Sequence, residues 1–345
     1  MTSTMTTLDA AHALEHWPDI EGALRRSSDG LINDTFFVGD RFVLQRLHPV
    51  FRAEVNEDIA ALTPVLARAG VPVPEIVPTA MDATCVTLHS GVWRVLTRLP
   101  GRTLHRVETP RQAFAAGEML ARFHSALRGA RYDFRFSRPG AHDTDAHMVA
   151  MFDALRAHPG HRLGGEVRAL AGEIATRWDG FGAVGRLPRR IGHGDPKISN
   201  LLLGPSDTVE GVIDLDTMGW TTLDVEVGDA LRSWCNLGSE DDAAPEFDVG
   251  VAASALGGYL SAAPWLTDAE SASFPRATER ICLELAARFA ADAIHESYFG
   301  WSAQRAATHG EHNLLRARGQ LALAVSAGDA AEAVAQIVDD ALPGG

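Results

Sequence analysis

The sequence predicts an α+β protein in two parts, with a strand-rich first part of antiparallel character carrying one helix and a larger, mainly helical second part. Three observations lead there. Up to about residue 99 the apolar runs are short and rich in β-branched and aromatic residues. Beyond Leu99-Pro100-Gly101 the apolar residues recur at helical spacing. Between Arg190 and Asp216 the helical pattern is interrupted by a polar loop and a hairpin. The expected division is therefore 1–99 and 100–345, with Leu99-Pro100-Gly101 as the hinge.

In the first part, Thr35 to Val38, Arg41 to Leu44, Cys85 to Leu88 and Val92 to Leu96 read as strands. Gly39-Asp40 and Ser90-Gly91 supply the turns between them. Val55, Ile59, Leu62 and Leu66 are spaced for one buried helical face, which Gly70 stops, and Val71-Pro72-Val73-Pro74 then forces extended chain. Pro64 inside that run predicts a kink or an early end.

In the second part, Gln112 to Arg128 places Gly117, Leu120, His124 and Leu127 on one stripe, with Gly129 as a stop. Val249 to Thr267 has the length of a membrane span but holds three glycines and two serines, Gly250, Gly257, Gly258, Ser254 and Ser261, and then Pro264; a buried, interrupted helix is expected. Leu201 to Leu203 and Val209 to Asp214 read as a hairpin about the turn Gly204-Pro205-Ser206-Asp207.

The 345 residues carry 31 Lys plus Arg against 45 Asp plus Glu, a formal net charge of -14, and 46% are hydrophobic. That composition excludes a disordered chain and provides for large cores. It also lacks the basic footprint that nucleic acid binding requires. Cys85, Cys235 and Cys282 form no CxxC pair, so neither a zinc cluster nor a disulfide framework is indicated. The first sixteen residues show no secretory pattern, and the chain reads as cytoplasmic, with no membrane partner.

The chemistry sits in His193-Gly194-Asp195-Pro196-Lys197-Ile198-Ser199-Asn200, followed by Ile213-Asp214-Leu215-Asp216 at the end of the hairpin. Phosphoryl transfer from a nucleotide needs a carboxylate to accept the acceptor's proton, and an amide oxygen and a second carboxylate to hold Mg²⁺ against the phosphates. Asp195 suits the first role, and Asn200 and Asp214 suit the second. Lys197, two residues past the base, either reaches the transferring phosphate or is an exposed loop lysine. His193 is read as loop architecture. Ser27-Ser28-Asp29-Gly30 with Asn33-Asp34 would form a loop over the phosphates, and the next strand would deliver Arg46 to them. Asp58, which borders the buried face of the first helix, is expected to orient Arg46. Arg318 falls in line with Leu314, Leu321 and Val325, so it is expected to be partly buried against Asp229, Asp292, Glu296 or a bound acceptor.

The pattern HxDxxxxN followed by an apolar-Asp-x-Asp hairpin resembles the kinase-like phosphotransferases that act on small molecules, the superfamily of aminoglycoside phosphotransferases and choline kinases. That resemblance implies a bilobal protein-kinase-like fold. Flanking text narrows it. Ile32-Asn33-Asp34-Thr35, Val43-Leu44-Gln45-Arg46, Trp93-Arg94, Ala141-His142-Asp143-Thr144 and Asp195-Pro196-Lys197 resemble, in order, segments of bacterial N-acetylhexosamine 1-kinases. So do Ile213-Asp214-Leu215-Asp216-Thr217, Gly228-Asp229-Ala230-Leu231-Arg232, Gly258-Tyr259-Leu260, Tyr298-Phe299 and the run from His312 to Arg318.

What the resemblance implies is an ATP- and Mg²⁺-dependent kinase acting on the anomeric hydroxyl of a hexosamine or hexose. Asp195 and Lys197 would be catalytic, Asn200 and Asp214 would hold metal, and Gly30, Asn33, Asp34, Thr35, Arg46 and Asp58 would serve the nucleotide. Asp216, Arg316 and Arg318 would face the sugar. Two positions depart from the pattern: Pro196 stands where Thr is expected and Leu31 where His is expected. An aminoglycoside-type acceptor, which the acidic chain would attract, and a catalytically dead binding protein are the alternatives.

Overall fold

A computed structural model describes residues 7–27, 33–183, 185–238, 241–242 and 245–342. In chain order its elements are α1 (Thr7–Leu14), β1 (Leu24–Arg26), β2 (Asp34–Val38), β3 (Phe42–Arg46), α2 (Val55–Arg68), β4 (Ile76–Val77), β5 (Val86–Leu88), β6 (Gly91–Thr97), β7 (Arg102–Thr103) and α3 (Pro110–Leu127). There follow α4 (Thr144–Ala157), α5 (Gly164–Phe181), β8 (Arg190–Gly192), β9 (Leu201–Leu203), β10 (Val209–Val212), β11 (Gly219–Thr221), α6 (Leu223–Trp234) and α7 (Val249–Ala262). The chain closes with α8 (Asp268–Ser271), α9 (Ala277–His295), α10 (His309–Asp329) and α11 (Ala331–Ala341).

Two compact units divide these elements. One comprises 1–103, 122–138 and 200–219, and the other 104–121, 139–199 and 220–345. The chain thus passes between units several times, where the sequence suggested a single cut at 99/100.

The first unit is built on an antiparallel sheet in the order β1-β2-β3-β6-β4, with β5 also paired to β6. Alternation along β2 and β3 sends Phe36, Val38 and Leu44 to one face, where they meet Trp93 and Val95 of β6 and Ala10, Ala13 and Trp17 of the first segment. Each large side chain buried this way contributes roughly 1.5–3 kcal/mol. Helix α2 buries Val55, Ile59, Leu62 and Leu66, the stripe expected. It does not end at Pro64 but continues to Arg68. Pro64 is exposed, so the carbonyl it leaves unbonded, that of Ala60, can be hydrated. A second sheet, β10-β9-β7, holds the hairpin.

The second unit is helical around α9, whose Ile281, Cys282, Leu283, Ala286, Ala287, Phe289 and Ala290 are almost fully buried. Small residues allow its helices to touch. A Cβ on Gly117 of α3 would lie 1.9 Å from the carbonyl oxygen of Ala255 in α7, and one on Gly258 would lie 2.0 Å from that of Phe114. Alanine or anything larger at either position would force the helices apart. Helix α7 ends at Ala262, before Pro264, as expected of an interrupted buried helix. Among the described residues no single helix is long and apolar enough to cross a membrane.

Candidate active site

Strand β8 leads into the loop His193 to Lys197, and helix α6 holds that loop in place. Glu226 is fully buried, and its two carboxylate oxygens accept the backbone N–H groups of His193 and Gly194, each at 2.8 Å. One helical face carries Glu226, Ser233 and Trp234, seven and eight residues apart. Ser233 Oγ accepts the Ile198 N–H at 3.1 Å, and Trp234 Nε1 donates to the Pro196 carbonyl at 3.0 Å. Gly194 turns the loop with φ +80°. Gly192 has no alternative either, because a Cβ there would lie 2.4 Å from the Glu226 carboxyl carbon. His193 is buried, and its Nδ1 accepts the Asp195 N–H at 3.3 Å, the architectural role expected of it.

This framework presents Asp195 and Lys197. Lys197 Nζ donates to Asp195 Oδ2 at 2.6 Å, and both side chains remain about one-quarter exposed, at 23% for the aspartate and 27% for the lysine. The pair is rigidly mounted and reachable from solvent. A carboxylate so placed can accept a proton, and the ammonium beside it can offset negative charge on an incoming group.

In the first unit, β9 and β10 pair with Leu201 opposite Val212, and the Ile213 N–H extends the ladder by donating to the Asn200 carbonyl at 2.9 Å. The hairpin therefore brings Asn200 and Asp214 to its open end. Asn200 is buried. Asp214 has left-handed backbone angles, φ 64° and ψ 53°, and the strand stops before it at Val212, two residues sooner than the sequence pattern suggests. Such a conformation in a non-glycine residue costs about 1–3 kcal/mol and re-aims its side chain. Among the described residues no three His, Cys, Asp or Glu side chains cluster as a metal site. An amide and a carboxylate at one hairpin end, both hard oxygen donors, are the set that suits Mg²⁺.

Other expected site residues are engaged elsewhere. Asp216, expected to face the acceptor, is buried and held by Arg94, whose Nη2 donates to Oδ2 at 2.9 Å while Nη1 donates to Oδ1. Asn33 Nδ2 donates to the same carboxylate at 2.7 Å. Arg94 also reaches Gln45 Oε1 and Asn56 Oδ1, and Gln45 Nε2 donates to Thr35 Oγ1. A buried ion pair with its remaining hydrogen-bond capacity filled is a fixed structural joint, so Asp216 is corrected from substrate contact to anchor of the turn after Asp214. Arg94, unassigned in the sequence reading, is the basic group at the middle of the sheet.

Arg46 is opposite Asp34 in the β2–β3 register, and both its Nε and Nη2 donate to Asp34 Oδ2, at 3.0 and 2.6 Å. Asp58 does not orient it. Asp58 accepts the Tyr132 hydroxyl at 2.8 Å and the N–H groups of Arg135 and Phe136 at 2.9 and 3.0 Å, because α2 turns that face toward 132–136. Burial, and then the Asp58 hydrogen bond and charge, push the Tyr132 phenol up to about 12. Gly30 and Leu31 lie outside the described residues.

Arg318 is exposed and pairs with Glu166 at 2.7 Å, not partly buried as expected. The buried stripe of α10 runs through Asn313, Ala317, Gln320 and Ala324; Leu314 and Leu321 form its edge, and a step beyond them leads out to solvent, as it also does at Val325. Arg316 donates to Asp241 Oδ1 at 2.9 Å and to the Gly300 carbonyl at 2.6 Å. The sequence reading missed Glu226, one of three buried acids in α6 with Asp224 and Asp229, so that nothing in the pattern singles it out.

Comparison with known proteins bears on the fold and the family. The chain is similar in fold to the microcompartment-associated aminopropanol kinase, with a TM-score of 0.64, 20% identity, and coverage of 94% of this chain and 99% of that one. It is similar to an aminoglycoside phosphotransferase from Alicyclobacillus acidocaldarius, with a TM-score of 0.61, 16% identity, and coverage of 96% and 98%. An amicoumacin kinase in complex with AMP-PNP, Ca²⁺ and Ami gives a TM-score of 0.58 at 15% identity, with coverage of 89% and 91%. The fold is thus the protein-kinase-like one, a sheet-bearing unit and a helical unit. The sequence profile of the phosphotransferase enzyme family matches residues 23–265, a span that takes in the sheet, the Asp195 loop, the hairpin and α6, and this chain belongs to that family of small-molecule phosphotransferases.

Proposed function

We propose that the protein is an ATP-dependent kinase that phosphorylates the anomeric hydroxyl of a hexosamine or hexose. The observation that carries the reading is the Asp195–Lys197 pair on a loop pinned by Glu226, Ser233 and Trp234. Asp195 accepts the proton of the acceptor hydroxyl as its oxygen bonds to the γ-phosphorus and the bond from that phosphorus to the β–γ bridging oxygen breaks. Lys197 holds Asp195 in position and offsets charge on the transferring group. Asn200 and Asp214 would hold Mg²⁺, which when bound neutralises phosphate charge. Five residues of continuous chain connect the base to the amide, and the hairpin connects the amide to the second acid. On the nucleotide side, Arg46 keeps its guanidinium on Asp34, so its contact with a phosphate would be made as an ion pair already formed.

Support for the sugar acceptor comes from the ordered resemblance to N-acetylhexosamine 1-kinases, while the kinase chemistry has the support of the family. The net charge of -14 favours a second reading, an aminoglycoside acceptor drawn by long-range attraction. Incubation with Mg-ATP and a panel of GlcNAc, GalNAc, glucosamine, glucose, galactose, mannose and aminoglycosides separates the two, with ADP release and product mass as readouts. A sugar 1-phosphate is expected. Turnover of aminoglycosides alone would overturn the acceptor class and leave the phosphotransferase chemistry.

A further inference from the structure

In the first unit, the side chains of Arg94 and Asp216 are 2% and 0% exposed. Arg94 Nη1 and Nη2 grip the two oxygens of the carboxylate, and Asn33 Nδ2 adds a further donor at 2.7 Å. The same guanidinium reaches on to Gln45 of β3 and Asn56 of α2. Asn33 is itself fixed, because its Oδ1 accepts the His48 N–H at 2.9 Å. The joint therefore fastens Asp216 to two strands of the sheet and to α2. A protein kinase makes the comparable tie between a basic residue on its third strand and an acid on its helix. Here Arg46 is engaged by Asp34 and Asp58 by Tyr132, so the tie falls to Arg94.

Asp216 stands two residues beyond Asp214, within the short 3₁₀ turn Leu215–Thr217. Asp214 holds φ 64°, a conformation that persists in a non-glycine residue only where its surroundings over-determine it. The apolar alternation up to Asp214 would by itself run on as extended strand. On the near side the Ile213 N–H ties the chain to the Asn200 carbonyl, and on the far side Asp216 is held by the joint. A chain clamped at 213 and again at 216 has to turn in between, and the left-handed residue is where it turns. Released at Asp216, Asp214 would relax toward extended backbone, which carries its side chain to the other face of the hairpin. The hairpin end would then keep the amide of Asn200 and lose the carboxylate.

We infer that Arg94 is a positioning residue for the metal: through Asp216 it holds Asp214 in the left-handed conformation that presents its carboxylate at the hairpin end shared with Asn200. The inference rests on the assignment of Asn200 and Asp214 to Mg²⁺ and adds to it the group that sets their geometry in advance. An arginine suits the task because its planar fork spans both oxygens of Asp216 and still reaches Gln45 and Asn56, whereas the single ammonium of a lysine serves one side only. When only a fraction of the molecules holds the competent conformation, the apparent dissociation constant rises by the inverse of that fraction. For an unclamped left-handed residue the fraction is about one-tenth to one-hundredth.

Mn²⁺ binding to the ADP-saturated protein, read from the electron paramagnetic resonance of free Mn²⁺, tests this in wild type, Arg94→Lys and Asn33→Ala. ADP affinity in EDTA and the melting temperature are measured alongside. Arg94→Lys should raise the Mn²⁺ dissociation constant roughly tenfold to a hundredfold and leave metal-free ADP affinity near wild type. Asn33→Ala, which keeps the ion pair and removes one donor to Asp216, should raise the same constant several-fold, and it carries the test should Arg94→Lys fail to fold. Arg177→Gln is the control: it breaks the pair with Glu279 in the helical unit, so it should lower the melting temperature and leave Mn²⁺ binding as it was. Wild-type Mn²⁺ affinity in both Arg94→Lys and Asn33→Ala, whatever their melting temperatures, would make the joint a support of the fold alone and overturn the inference. A wild type that binds no Mn²⁺ would instead overturn the metal role of Asn200 and Asp214 on which the inference rests.

Discussion

Replacing Glu226 with glutamine perturbs the Asp195 loop without touching a residue that meets substrate. The carboxylate is fully buried and accepts two N–H groups at 2.8 Å. Glutamine keeps one acceptor oxygen and turns an NH₂ group toward the other N–H, so one charge-assisted bond is lost and a buried donor is left facing a donor. That exchange should cost about 2–3 kcal/mol. Alanine, which removes both acceptors and leaves two N–H groups over a void, should cost about 3–5 kcal/mol. Ser233 and Trp234 still hold the far side of the loop, so the damage is concentrated at His193-Gly194-Asp195. A shift of about 1 Å in the base is enough to lower kcat by around a hundredfold. The assay is paired: urea unfolding for stability, and kcat with KM for ATP on the folded variant. Wild-type kcat in Glu226→Gln with an undiminished unfolding midpoint would refute the claim that α6 positions Asp195.

Gly117→Ala should destabilise the helical unit by about 1–3 kcal/mol in urea unfolding, since the new methyl would sit 1.9 Å from the Ala255 oxygen; equal stability would show that α3 and α7 are not in that contact. Tyr132→Phe should cost about 1 kcal/mol by losing the Asp58 bond, and should remove from the wild-type ultraviolet titration a phenol ionising only at about pH 12. The His142–Glu284 pair predicts a pH dependence. Burial pulls His142 down, but the Glu284 hydrogen bond and charge, with Asp229, outweigh it and leave its pKa above the ordinary 6.5. The stabilisation that this raised pKa brings is then full below about pH 6.5 and is lost as pH rises through it. Burial pushes Glu284 up, but His142 and Arg288 hold it below its ordinary 4.5, so its contribution is full above that value and is lost as pH falls. The melting-temperature deficit of His142→Gln should therefore be largest near pH 6 and shrink toward pH 9; a deficit independent of pH would contradict the charged pair.

Much of this was legible in one-dimensional pattern. Strands β2, β3, β5 and β6 and helix α2 follow periodicity and turn residues, because each buries one face and its spacing records which. The Asp195 loop and its hairpin follow from residue types at fixed intervals. What the sequence hides is the choice of partner. Asp58, Arg94 and Arg46 each had several opposite charges within reach of the imagination, and only the packing of α2 against 132–136 assigns Asp58 to Tyr132 and leaves Arg94 for Asp216. Arg318 shows a different failure: spacing placed it correctly beside Leu314 and Leu321, but these two mark the edge of the stripe, and a helical stripe's centre cannot be located from its edge residues alone. Glu226 was hidden for the same reason as Asp58, since Asp224 and Asp229 are buried on the same helix and spacing does not reveal which acid faces the loop.

The most direct measurement is phosphorylation of the sugar panel by wild type and by Asp195→Asn, with product mass and position of attachment determined and Mg-ATP binding measured for both. The account predicts a sugar 1-phosphate from the wild type, and from the variant no product despite nucleotide binding at wild-type strength. Equal turnover by the variant, or no phosphorylated product from the wild type with any acceptor, would contradict it.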